Sequence, residues 1–159
     1  MRTKALFSLF VLLLASSETN AWLCLGWPDS AEITEEWLAQ YEFIAVVEVQ
    51  ETVVRRWLKN GEASAEVSVR LHIVEAFKGT ASGAEVTMRL DFGLAPPSHF
   101  DAGDTYLVFA NRADRGDGYV TNDCQARKFK THKHGHPSYH AQLQESVQPV
   151  LEVLRTLVN

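Results

Sequence analysis

The sequence predicts a mainly β domain, with five short antiparallel strands between two helices and the strands closed into a small barrel. Three observations carry this. A strict period of two runs from Ala65 to Ile73, with Ala65, Val67, Val69, Leu71 and Ile73 alternating with Glu66, Ser68, Arg70 and His72. β-Branched runs bounded by Gly, Pro, Asn or Asp recur along the chain. The period changes to that of a helix only near the end, where Leu143, Val147, Val150, Leu151, Leu154, Leu157 and Val158 share one face. Closure removes exposed strand edges, which favours the barrel. A two-sheet sandwich is the alternative, but it usually wants about seven strands.

The elements follow in order. Gly26 and Pro28 keep Trp22 to Ser30 irregular. Asp29 and Glu32 have capping-box spacing, and a short helix through Glu32 to Tyr41 presents Ile33, Trp37 and Tyr41 as one stripe. Phe43 to Val54 reads as the first strand, its Ile44-Ala45-Val46-Val47 centre suited to burial on both faces. Asn60-Gly61 signals a hairpin, within a loop from Trp57 to Glu62. Alternation in the second strand slips near Val74, where a bulge would re-aim the chain before Ala76-Phe77-Lys78-Gly79. Ala84 to Leu90, Thr105 to Ala110 and Tyr119 to Asp123 complete the strands, with a Pro96-Pro97 loop over Gly93 to Gly103 and a turn at Asp114-Arg115-Gly116-Asp117-Gly118. A C-terminal amphipathic helix covers 138–158. Pro149 removes an amide donor inside it, so a kink or restart is expected there.

The first residues read as an export signal. Arg2 and Lys4 precede an uncharged apolar run from Ala5 to Ala15, and Thr19-Asn20-Ala21 offers small residues for cleavage after Ala21. The run is too short to span a bilayer, which needs about 20 residues. Residues 22–159 then form a single domain, secreted or periplasmic. Cleavage removes two cations and one anion, so the remainder is more acidic than the −5 of the whole chain. That balance argues against nucleic acid or an anionic membrane as the main partner, and no later segment is apolar enough to span a membrane. Both cysteines, Cys24 and Cys124, lie in the exported part, where an even count implies a disulfide. A bridge over that span would stabilise by about 4–5 kcal/mol in the chain-entropy model.

Specific residues carry a family likeness. Val69-Arg70-Leu71-His72-Ile73-Val74-Glu75-Ala76-Phe77-Lys78-Gly79, Phe100-Asp101-Ala102-Gly103-Asp104-Thr105-Tyr106-Leu107-Val108-Phe109-Ala110 and the later Cys124 form one such set. Together they resemble the tissue-inhibitor-of-metalloproteinases (netrin-module) superfamily over Trp22 to about Phe129. The resemblance implies an OB-type barrel, a Cys24–Cys124 tie from the N-terminal segment to the barrel, and a partner-binding ridge formed by Trp22, Leu23, Leu25 and Trp27. It implies an extracytoplasmic protein as partner, with a zinc protease as one candidate. The chain departs from the family in its chelating feature. Trp22-Leu23-Cys24 stands where the inhibitors begin Cys-x-Cys, and Ser98-His99-Phe100 stands where a middle cysteine is expected. Both members of one bridge are therefore missing, and with them the N-terminal cysteine that grips the protease zinc.

A few other residue groups offer candidate chemistry. His132, His134 and His136 would point one way in an extended segment, with His140 in the first turn of the last helix, a set suited to surface zinc or copper. Gly135 and Pro137 deny that segment a rigid scaffold, so no dedicated cofactor is expected; an extracytoplasmic metal-binding role is the alternative function. Arg115-Gly116-Asp117 is explained by turn chemistry. Glu35 with Glu36, and Glu48 with Glu51, read as solvated charge, and His72 falls on the polar face of its strand. With no nucleophile elbow and no His-Glu-x-x-His, an enzyme is not expected.

Overall fold

The structure is a computed structural model that describes residues 27–59, 62–90, 100–114, 118–121, 125–131 and 137–158. Chain order begins with a 3-10 turn, Ser30–Glu32, and a short helix α1, Glu35–Ala39. Strands β1 (Phe43–Lys59), β2 (Glu62–Lys78), β3 (Glu85–Leu90), β4 (Thr105–Arg112), β5 (Tyr119–Thr121) and β6 (Ala126–Lys130) follow. Helix α2, Pro137–Val158, ends the chain. Neighbouring strands run β1-β2-β3-β5-β4, and β4 pairs back onto β1, closing a five-stranded barrel. Among the described residues only the β3–β5 contact is parallel.

Local chemistry explains the entry to the barrel. The Asp29 carboxylate accepts from the Ala31 amide at 3.2 Å while Glu32 reaches back to the Asp29 amide, so the capping box is present. It caps only one 3-10 turn, because Thr34 starts a second helix by accepting from the Trp37 amide. The single helix read over Glu32 to Tyr41 is thus two short pieces. Lys78 closes the far end, donating to the Leu38 carbonyl at 3.0 Å.

Two cores share one wall. Phe43, Ala45, Val47 and Val49 of β1 face inward with Val67, Val69, Leu71 and Ile73 of β2, Met88 and Leu90 of β3, and Tyr106 and Val108 of β4. Ile44 and Val46, with Leu107 and Phe109, face outward onto Ile33, Leu38, Val147, Val150, Leu151 and Leu154. β1 and β4 are therefore apolar on both faces where they pair, as the Ile44–Val47 run predicts. The slip at Val74 is a real register shift: Glu75 pairs with Val46 and Ile73 with Val47, leaving Val74 without a partner. A second shift skips Phe77, which joins the outer core while Ala76 packs on the inner one.

Three features differ from the sequence reading. β1 continues through Trp57 and Leu58 to Lys59, which stands opposite Glu62, so the expected loop is the end of a long ribbon. Strand β6 is additional; it pairs with Thr105–Val108 of β4, and the Phe109 amide donates to Gln125 O at 2.8 Å. Helix α2 runs through Pro149 without restarting. Pro149 is exposed, and burial of Val147, Val150, Leu151 and Leu154 offsets the one missing helical bond.

Arg155 of α2 grips Glu75 of β2 through two hydrogen bonds, 2.8 and 2.7 Å. That contact lowers the Glu75 pKa below its ordinary 4.5, overcoming partial burial. Because the folded value is depressed, its stabilisation is present above the ordinary carboxylate range and lost as pH falls below 4.5. Glu75→Gln should cost under about 1 kcal/mol at pH 7, given the exposure of both partners, with wild type and variant converging near pH 3 in denaturant titrations. Gly79 tests the close approach of β2 to β1. Its φ is +100° and an added Cβ would meet Glu42 O at 2.6 Å, so Gly79→Ala should lose about 2 kcal/mol or more by chemical denaturation.

Candidate functional site

Trp27 is the one member of the sequence-predicted ridge among the described residues; Trp22, Leu23, Leu25 and both cysteines, Cys24 and Cys124, lie outside them. Its ring meets Phe109 edge-on at 5.5 Å. Phe109 also receives Trp37 at 5.0 Å and Tyr41 at 5.3 Å, so one β4 side chain organises an aromatic cluster on the outer core. Burial raises the Tyr41 pKa above 10.0, partly offset by a hydrogen bond to Gln125, so the phenol stays protonated at neutral pH. The Arg127 guanidinium of β6 covers the Trp27 ring at 5.2 Å. Trp27 is thus half-buried and held on two sides, while its Nε1 is buried with no hydrogen-bond partner among the described residues.

An open groove of about 410 Å³ adjoins it. Trp27, Pro28, Asp29, Ser30 and Arg127 line one side, and Ser146, Pro149 and Val150 of α2 line the other. The groove combines an apolar base with a carboxylate, a guanidinium and two hydroxyls, a lining suited to recognising a short polar and apolar segment. Pro149, which the sequence marks as a helix breaker, instead forms part of its wall.

A second cluster sits at the start of β4. Asp104 is fully buried; Lys128 Nζ lies 2.5 Å from its Oδ2, and the Thr131 hydroxyl donates to Oδ1 at 2.7 Å. The same ammonium lies 5.5 Å from the Tyr106 ring, which stacks on Phe100 at 4.4 Å. These contacts hold β6 against β4 and leave the carboxylate no open face for catalysis. No sequence signal marks this pair, because its members are distant in the chain and one lies on the unforeseen β6.

The remaining predicted positions divide cleanly. His132, His134, His136 and Arg115-Gly116-Asp117 lie outside the described residues, and His140 falls in the first turn of α2. Among the described residues no three His, Cys, Asp or Glu side chains gather where a metal ion would fit. Glu35 and Glu36 are exposed in the first turn of α1, where negative charge favours the helix. Glu51 pairs with Arg70 at 3.1 Å, and Glu48 accepts from Gln50 at 3.3 Å. His72 is half-buried between Glu48 and Glu85 in the strand register. No helix among the described residues is long and apolar enough to cross a membrane.

Compared with protein-family models and with curated proteins, the chain matches none.

Replacing Lys128 with Met leaves the Asp104 carboxylate buried without its ammonium. Lys128→Met should destabilise by about 3 kcal/mol at pH 7 in urea titrations, with the loss shrinking when Asp104→Asn is added.

Proposed function

We propose that the chain is an exported, non-enzymatic protein-binding module that engages its partner through residues 22–27 and the groove beside Trp27. One observation carries the reading. A tryptophan fixed between Phe109 and Arg127, its Nε1 buried without a hydrogen-bond partner among the described residues, borders an open groove lined by Asp29, Ser30, Arg127 and Ser146. Rigid aromatic anchors next to arginine are the residue types that dominate protein interfaces. The closed barrel order β1-β2-β3-β5-β4 is compatible with the OB-type fold of the metalloproteinase inhibitors that the sequence resembles. Here Trp22 stands where those inhibitors place the zinc-gripping cysteine, so binding without strong zinc-directed inhibition is the expected behaviour.

The test pairs crosslinking mass spectrometry in the native host with a panel of extracellular zinc proteases. Ser146→Trp fills the groove and Arg127→Glu reverses its charge. Each should weaken the captured complex at least about tenfold, as expected for central interface positions, while thermal melts stay close to wild type. A partner held equally well by wild type, both variants and Trp22→Ala would sink the assignment of this face.

A further inference from the structure

We propose that Lys128 and Asp104 condense into a covalent crosslink, an amide between Lys128 Nζ and Asp104 Cγ that ties β6 to the start of β4. This lies beyond the groove reading and does not depend on it. The Asp104 side chain is fully buried and that of Lys128 largely so, with Nζ 2.5 Å from Oδ2. A carboxyl C–O bond adds about 1.2 Å, so Nζ stands within about 3.7 Å of Cγ. Attack distance in a well-oriented pair is about 3–3.5 Å, a small side-chain adjustment away.

The step consumes nothing but the two side chains. One proton passes from the ammonium to Oδ2 along the short contact, leaving an amine beside a carboxylic acid. Withdrawal from water favours that exchange, because a neutral pair needs less hydration than a charged one. The Nζ lone pair then bonds to Cγ, and the Cγ–Oδ1 π electrons move onto Oδ1. The Thr131 hydroxyl donates to Oδ1 at 2.7 Å and stabilises the charge that develops there. As the carbonyl re-forms, the Cγ–Oδ2 bond breaks. Oδ2 departs as one water, carrying the first proton and a second from nitrogen.

The surroundings drive the step forward. Groups held side by side react as though at about 10⁵–10⁸ M, well above the water that would reverse the reaction. Aromatic rings wall the pair. Lys128 Nζ lies 5.5 Å from the Tyr106 ring, and buried Phe100 stacks on that ring at 4.4 Å. The Arg70–Glu51 and Arg155–Glu75 pairs have no such potential, since both are partly hydrated and a guanidinium keeps its proton. Position gives the bond a use. Among the described residues β6 pairs with β4 alone, so a crosslink fastens a strand held along one edge.

The test is intact-mass analysis of the full exported chain after thiol reduction, its N-terminus fixed by peptide mapping. Lys128→Arg is the control, because arginine keeps the charge pair and offers no comparable nucleophile. Wild type should be lighter than its sequence by one water, and Lys128→Arg should show its full mass. Trypsin does not cut after an acylated lysine, so wild type should also release residues 90–112 joined to residues 128–130. That readout requires no variant to fold. Wild-type protein at full mass after prolonged storage overturns the proposal. So does a water loss shared by Lys128→Arg, or one without the joined peptides, as cyclisation at Asp117-Gly118 would give.

Discussion

The structure depends on one ladder, the antiparallel pairing of Phe43–Glu48 with Thr105–Ala110. Both strands are apolar on both faces there, so the same backbone closes the barrel and floors the helical layer. Alternate residues Ala45, Val47, Tyr106 and Val108 fill the interior, while Ile44, Val46, Leu107 and Phe109 receive α1, α2 and the N-terminal segment. A strand used on both faces cannot slip by one residue without exchanging its two sets of side chains. The bulges at Val74 and Phe77 reconcile β2 with this constraint. They let Ile73 and Ala76 face inward while Phe77 turns to the outer core.

Two ion pairs fasten what the ladder does not hold, and burial gives them different physical weight. Asp104 and Lys128 are withdrawn from water, so the pair fixes where β6 lies more than it adds net stability. Glu75 and Arg155 remain hydrated and contribute modestly, although their two-pronged geometry sets the rotation of α2 over the bulge. The groove beside Trp27 is a consequence of both placements, since β6 supplies Arg127 and α2 supplies Ser146, Pro149 and Val150.

The barrel carries two surfaces of different character. Near the aromatic cluster, side chains are anchored by packing, and Trp27 Nε1 is buried with no hydrogen-bond partner among the described residues. Along the outer part of β1 the side chains from Glu51 to Leu58 are exposed, Val53, Val54, Trp57 and Leu58 among them. An isolated ribbon of this kind is marginal in water. Here its base is continuous with a closed barrel, which holds the register that the tip alone would not.

The sequence by itself determined what is periodic or local. It set the strand character of Ala65–Ile73, the double burial around Ile44–Val47, the slip at Val74, the Asp29–Glu32 box and the apolar stripe of α2. Each is legible because neighbours in the chain create it. Tertiary structure decided the rest. Trp57 and Leu58 give no alternating contrast because both faces of the ribbon are bare, so a strand reads as a loop. β6, with its mixed ARKFK run, is a strand because β4 offers it an edge and Asp104 offers Lys128 a partner. Pro149 stays helical because four buried neighbours outweigh one lost bond. Trp27 borders a groove because Phe109 and Arg127, distant in the chain, meet around it. Contacts between residues far apart in sequence leave no local period, and only the folded chain brings them together.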